Sequence, residues 1–140
     1  MSFYSFDYSN WDTTKENIGV GSVIVTLSIP QENEPMDKLF EEWETLFNKA
    51  KDEKIRYSLI IDGRGVTSLD FTLIKAIANW IGERTDLAEE YINKTAIIIN
   101  NETVASIVNM ALGTLYKPVR PCKTFGGGDL TGGITWAIKI

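Results

Sequence analysis

The chain has 140 residues, 44% of them hydrophobic and 24% charged, the size and composition of one ordinary soluble globular domain. Fourteen basic against nineteen acidic residues give a formal charge of −5, which speaks against a nucleic-acid or anionic-membrane surface, because both need clustered positive charge. With no histidine and one cysteine, Cys122, the chain is without a Ser/His/Asp triad, a Cys/His pair, an imidazole metal site and an internal disulfide, and a reducing, cytoplasmic setting is expected.

The N-terminus has neither the basic residues nor the apolar core of a secretory signal, and no apolar run approaches the roughly 20 residues of a membrane span. Asn93-Lys94-Thr95 and Asn101-Glu102-Thr103 match the glycosylation pattern, but without a secretory route they read as accidental. No repeat or low-complexity tract interrupts residues 1–140, which read as a single domain.

In chain order, Phe3 to Tyr8 reads as an aromatic-rich strand, Ser9 to Asn17 as a loop, and Gly21 to Ile29 as a β-branched strand ended by Pro30. The two strands suggest an N-terminal hairpin. From Met36, apolar residues at Leu39, Phe40, Trp43, Leu46, Phe47 and Ala50 follow helical spacing, with Pro35 setting the first turn and Glu41, Glu42 and Glu44 on the wet face. The continuous run Tyr57 to Asp62 predicts a strand covered on both faces. A second helix begins near Asp70, a candidate N-cap, and carries Leu73, Ile74, Ile77, Ala78 and Ile81 on its buried side. A further buried strand, Thr95 to Ile99, precedes a third helix with Val104, Ile107, Val108, Ala111, Leu112 and Leu115 at helical spacing, capped by Asn101.

Pro118 and Pro121 then stop helical structure and leave Pro121 to Phe125 as a short last strand. The tail reads two ways. Leu130, Ile134, Ala137 and Ile138 fit a helix capped by Asp129, whereas Ile134, Trp136, Ile138 and Ile140 alternate as a strand would, and Gly132 and Gly133 cost a helix about 1 kcal/mol each relative to alanine. Strands alternating with helices bury best as a mostly parallel sheet. The expected architecture is an α/β sandwich: a mixed, mostly parallel five-stranded sheet with an N-terminal hairpin and three to four helices.

This order of elements resembles the STAS domain, the fold of bacterial anti-sigma factor antagonists and of the cytoplasmic ends of sulfate transporters. The likeness covers nearly the whole chain and is sharpest from Ile61 to Leu73, where Asp62, Val66 and Asp70 match in kind and spacing the aspartate ending the third strand, the mid-loop valine and the aspartate opening the second helix. The resemblance implies a helical tail, and a non-catalytic regulatory module that meets a protein partner, a kinase or another regulatory protein, or its own copy as a homodimer. In the antagonists the residue after the second aspartate is a phosphorylated serine; here it is Phe71, which accepts no phosphate. A displaced switch on Thr72 or Ser68, with Thr67 as a further hydroxyl, remains open, since a phosphate brings about −1.5 to −2 charges to a helix start. A second likeness, to the Sec14-type lipid-binding domain, implies a carrier of a lipid or nucleotide, although the chain is too short for most of the helices that close such a cavity.

The expected partner contacts are Arg64, Thr67, Ser68, Asp70 and Thr72, with no cofactor and no metal. Asp62 and Asp70 are the nearest thing to a carboxylate pair for catalysis or magnesium, yet strand ends and helix caps are ordinary posts for aspartate. Gly126 to Asp129 suggests a weak phosphate cradle or a plain turn. Arg64 reads as a grip for a carboxylate or phosphate, or as a solvated loop charge. Lys117, Arg120 and Lys123 form a basic cluster that serves either docking or protection of an edge strand. Cys122 reads as a small buried hydrophobe, and Trp80, beside the main stripe of its helix, would mark an interface if exposed.

Overall fold

The computed structural model describes residues 3–9, 20–28, 36–66, 71–114 and 119–139. The expected loop after Ser9, Pro30, Pro35, the Asp70 cap, Leu115, Lys117 and Pro118 lie outside the described residues, as do Thr67 and Ser68. The chain runs β1 (Tyr4–Asp7), β2 (Val20–Ser28), α1 (Asp37–Glu53), β3 (Arg56–Gly65), α2 (Phe71–Gly82), α3 (Thr85–Tyr91), β4 (Ile92–Ile98), α4 (Glu102–Thr114), β5 (Cys122–Phe125) and α5 (Leu130–Ala137). The five strands form one sheet in the order β1-β2-β3-β4-β5, with β1 antiparallel to β2 and the other pairs parallel. No helix among the described residues is long and apolar enough to cross a membrane.

The pleat sorts the strands into two faces. Val23, Val25 and Leu27 of β2 and Tyr57, Leu59 and Ile61 of β3 join a core with Leu39, Trp43, Leu46, Phe47 and Ala50 of α1, Ile81 of α2 and Ala88 of α3. Ile97 also reaches Val104, Ala105 and Val108 of α4, so α1 to α4 share this face. Ile60, Ala96 and Ile98 point the other way, against Ala137 of α5. The two-sided burial expected of Tyr57 to Asp62 is therefore supplied by α1 to α4 beneath and α5 above. The open half of the upper face, over β1 and β2, is polar: Ser5, Asp7 and Thr26 are exposed.

Five helices rather than three or four result, because α3 is a short helix that the periodicity does not reveal. Its partner in place is Arg84, just before it. Arg84 stacks 3.9 Å over the Trp80 ring, donates from Nη1 to Trp80 O at 3.0 Å and pairs through Nε with Glu44 at 3.2 Å. Trp80 in turn stacks on Phe40 and Phe47 and tilts against Trp43, so it joins α2 to α1 instead of standing out as an interface residue.

The tail is a helix. Asp129 caps it, its Oδ1 accepting from Gly132 N at 3.0 Å, and Asn101 likewise caps α4 by accepting from Thr103 N at 2.8 Å and Val104 N at 3.3 Å. The far end of α5 is held by buried side chains. Ser58 Oγ donates to Ala137 O at 2.5 Å, while Asn93 Nδ2 reaches Ser58 Oγ at 3.1 Å and the carbonyls of Ala137 and Lys139 at 3.2 Å each. Asn93 is buried, which fits the reading of its glycosylation pattern as accidental.

Replacing Asn93 with alanine removes these donors and leaves Lys139 O to solvent. We expect a loss of about 2 kcal/mol in urea denaturation, with amide exchange accelerating first in α5; an unchanged midpoint would show that the network does not hold the tail.

Candidate functional site at the carboxyl rim of the sheet

The parallel strands β3, β4 and β5 deliver their carboxyl ends to one rim, where ligands of open α/β sheets usually bind. The chain leaves β4 toward α4 on the lower face and leaves β5 toward α5 on the upper one, so the two connections part at this rim. Such a parting opens a crevice in doubly wound folds.

Asp62 and Arg64 stand two residues apart on β3 and therefore on the same side. β3 runs on to Gly65, so Arg64 belongs to the strand end rather than to a solvated loop. Its Nε donates to Asp62 Oδ1 and its Nη2 to Oδ2, each at 2.8 Å, and its backbone N–H adds a bond to Oδ1 at 3.2 Å. The Asp62 side chain is 8% exposed and that of Arg64 43%. The Arg64 guanidinium holds the Asp62 carboxyl below the usual carboxylate pKa range, outweighing burial, which pushes it up. General acid–base work at neutral pH calls for the opposite displacement, so this geometry does not suit Asp62 to proton transfer. Both its oxygens are engaged by Arg64, which also leaves it poorly placed to hold magnesium. Asp70, the other half of the expected carboxylate pair, lies outside the described residues.

Asn100, one residue past the buried Ile99, lies beside the pair: its Nδ2 donates to Arg64 O at 3.4 Å. A side chain at Gly128 would meet the Asn100 Oδ1, and a side chain at Gly126 would meet the Glu102 carboxylate at 2.8 Å. Gly127 and Gly128 have φ of 65° and 67°, a conformation that glycine adopts freely. Between the two connections the chain's own Asn100 and Glu102 thus lie against the glycine backbone at Gly128 and Gly126, while Gly127 faces open space. Gly128 N donates to Ile99 O at 3.0 Å and Gly132 N to Asp129, so these amides are taken up internally. With a carboxylate at Gly126, the Gly126 to Asp129 segment is a turn that starts α5, and its surroundings do not suit a phosphate.

Of the expected contacts, the structure brings Arg64 to this rim. Thr72 lies in the first turn of α2, with Phe71 before it, and their side chains are outside what is described, as are Thr67, Ser68 and Asp70. Asn100 was not among the expected residues; an asparagine directly after a buried strand was the signal for it. Arg120 of the basic cluster is tied to the backbone, donating to Ile92 O at 3.1 Å and Asn93 O at 3.4 Å, and Lys123 is exposed on β5. Among the described residues no group of three or more Asp, Glu and Cys is placed to hold a metal ion. Comparison with protein-family models, with curated proteins and with solved structures finds no match for this chain.

Two measurements check this account. In Arg64→Ala the carboxyl signal of Asp62 is expected to titrate at higher pH than in the wild type, since the side-chain bonds and the charge are lost while burial and the backbone N–H bond of residue 64 remain; an unmoved titration would contradict the pairing. In the wild type the lowered folded-state pKa means that the pair's stabilisation is present above about pH 3.9 and is lost as pH falls through the lower folded value. Burial also pushes the Cys122 thiol up to about 12, so it should react with a disulfide reagent at pH 7 at least tenfold more slowly in the folded than in the unfolded chain.

Proposed function

We propose that the protein is a non-catalytic regulatory module of the STAS-like kind, working in the cytoplasm and meeting a protein partner at the carboxyl rim around Arg64 and the start of α2. The observation that carries this reading is the Asp62–Arg64 fork: a buried carboxylate fixes the orientation of a half-exposed guanidinium, presenting a positioned cation without the entropy cost of ordering a free arginine on binding. The sequential strand order with an antiparallel β1 agrees with the resemblance, and so does the helical tail.

Regulation in this reading passes through a hydroxyl near the rim, Thr72 or Ser68, because Phe71 occupies the place of the usual phosphoacceptor. A phosphate at the start of a helix is favoured by the free amides of the first turn, which attract negative charge. The carrier reading is weighed down by the packing beneath α1, where Trp80 meets Trp43 and Phe47, and Phe47 meets Tyr57, as ring pairs 5.6 to 6.1 Å apart that occupy this part of the helix–sheet interface.

The test is paired affinity capture from native extract with the wild type and with the double variant Arg64→Glu, Thr72→Ala. We expect the bound partner to fall at least tenfold with the variant, compared at a temperature well below both thermal midpoints, because the variant also leaves the buried Asp62 carboxylate without its partner and lowers the midpoint. Equal capture by both proteins would remove the rim as the contact surface, and intact mass of the native protein without added phosphate would remove the switch.

A further inference from the structure

The outer edge of β5 carries a recognition pattern separate from the rim. Thr95 N donates to Pro121 O at 2.9 Å and Ile99 N to Phe125 O at 3.0 Å, which sets the parity of the strand. Pro121, Lys123 and Phe125 turn their backbone groups toward β4, and Cys122 and Thr124 turn theirs away from the sheet. As the last strand in the order, β5 has no neighbour on that side among the described residues. Among the described residues, two N–H and two C=O groups therefore form a short unfilled template.

Beside this template the upper face is cationic. Lys123 Nζ lies 5.1 Å from the Phe125 ring centre, Phe125 packs on Trp136 at 5.9 Å, and Lys94 Nζ lies 5.0 Å over the Trp136 ring. Arg120 is fixed at the start of the strand by its bonds to Ile92 and Asn93. Glu102, by Gly126, and Asp129, at the start of α5, sit beyond its carboxyl end. In a chain of net charge −5 this is a local reversal of sign.

A second copy of the chain fits the edge poorly in the register centred on Lys123. Two β5 strands pairing antiparallel through Cys122 and Thr124 would set Lys123 directly opposite Lys123, a like-charge pair that opposes association. A segment with a carboxylate at that position meets the opposite sign instead. We propose that the outer edge of β5 docks an extended acidic segment of a partner protein, which adds to the sheet as a sixth strand with its carboxylate opposite Lys123. Backbone bonds to Cys122 and Thr124 supply the register, and Lys123 and Lys94 supply the choice of sign. Val119, 43% exposed just before the strand, offers an apolar contact at one end of the added segment.

The experiment titrates the isotope-labelled full chain with a short capped peptide of sequence Thr-Val-Glu-Val-Thr at millimolar concentration, and with its counterpart carrying Lys in place of Glu. The amide signals of Cys122 and Thr124 are expected to shift and to exchange roughly tenfold more slowly with the acidic peptide, and the basic peptide to bind about tenfold more weakly. Lys123→Glu, a change at an exposed side chain, should reverse the preference, whereas Arg64→Ala should leave it intact, which separates this site from the rim. The proposal is overturned if those two amides do not respond, if both peptides bind alike, if Lys123→Glu leaves the preference as it was, or if the same amides respond to protein concentration alone, which would mark self-association.

Discussion

The structure depends on covering β3 from both sides. Tyr57, Leu59 and Ile61 face one layer and Ser58, Ile60 and Asp62 the other, and six consecutive side chains with this little exposure need two lids. The lower lid is assured by three amphipathic crossovers that return to the same face. The upper one is a single two-turn helix, and it lies where it does because two buried polar groups need partners. Ser58 and Asn93 find them in the last carbonyls of α5, so one network satisfies side chains in the sheet and the unpaired end of the helix together.

The same demand explains the chemistry of the rim. Asp62 is the last inward side chain of the upper face, and a buried carboxylate requires a partner. Arg64, the next residue on that side, supplies it within the same strand, so the charge is neutralised without help from another element. What results is an arginine anchored at its fork and exposed along part of its length. That arrangement suits recognition better than proton transfer, since the carboxylate is kept ionised and the guanidinium is kept still.

The two sheet edges differ in kind. β1 carries Tyr4 and Phe6, with Tyr8 just after it, toward the lower core, where Phe6 meets Trp43 edge to face, so these side chains are drawn into packing. β5 carries an exposed lysine at its centre and a proline before it. Those residues discourage pairing with an identical strand, and by the same sign they favour an acidic one. Protection of an edge and selectivity at it are two consequences of one charge.

Much of this was legible in the residues. Period-two and period-3.6 patterns located the five described strands and three of the five described helices, α1, α2 and α4, and the short polar caps Asn101 and Asp129 fell where helix starts require an acceptor. The tail was not decided that way, because its spacing fits both periods and Gly132-Gly133 argues locally against a helix. Tertiary packing settles it: a side chain at Gly133 would collide with Ile98 Cδ1, so glycine is what lets α5 approach the sheet closely enough for Ala137 to meet Ser58. Nor could spacing show that Arg64 closes on Asp62, that Trp80 lies under Arg84, or that α3 exists at all, since each depends on which chains of atoms arrive beside one another after folding. The sequence by itself determined the strands, the helices α1, α2 and α4 and the apolar face of each, through local periodicity; the tertiary structure alone decided that the tail is helical and which polar groups are buried together, because these are set by contacts between residues distant along the chain.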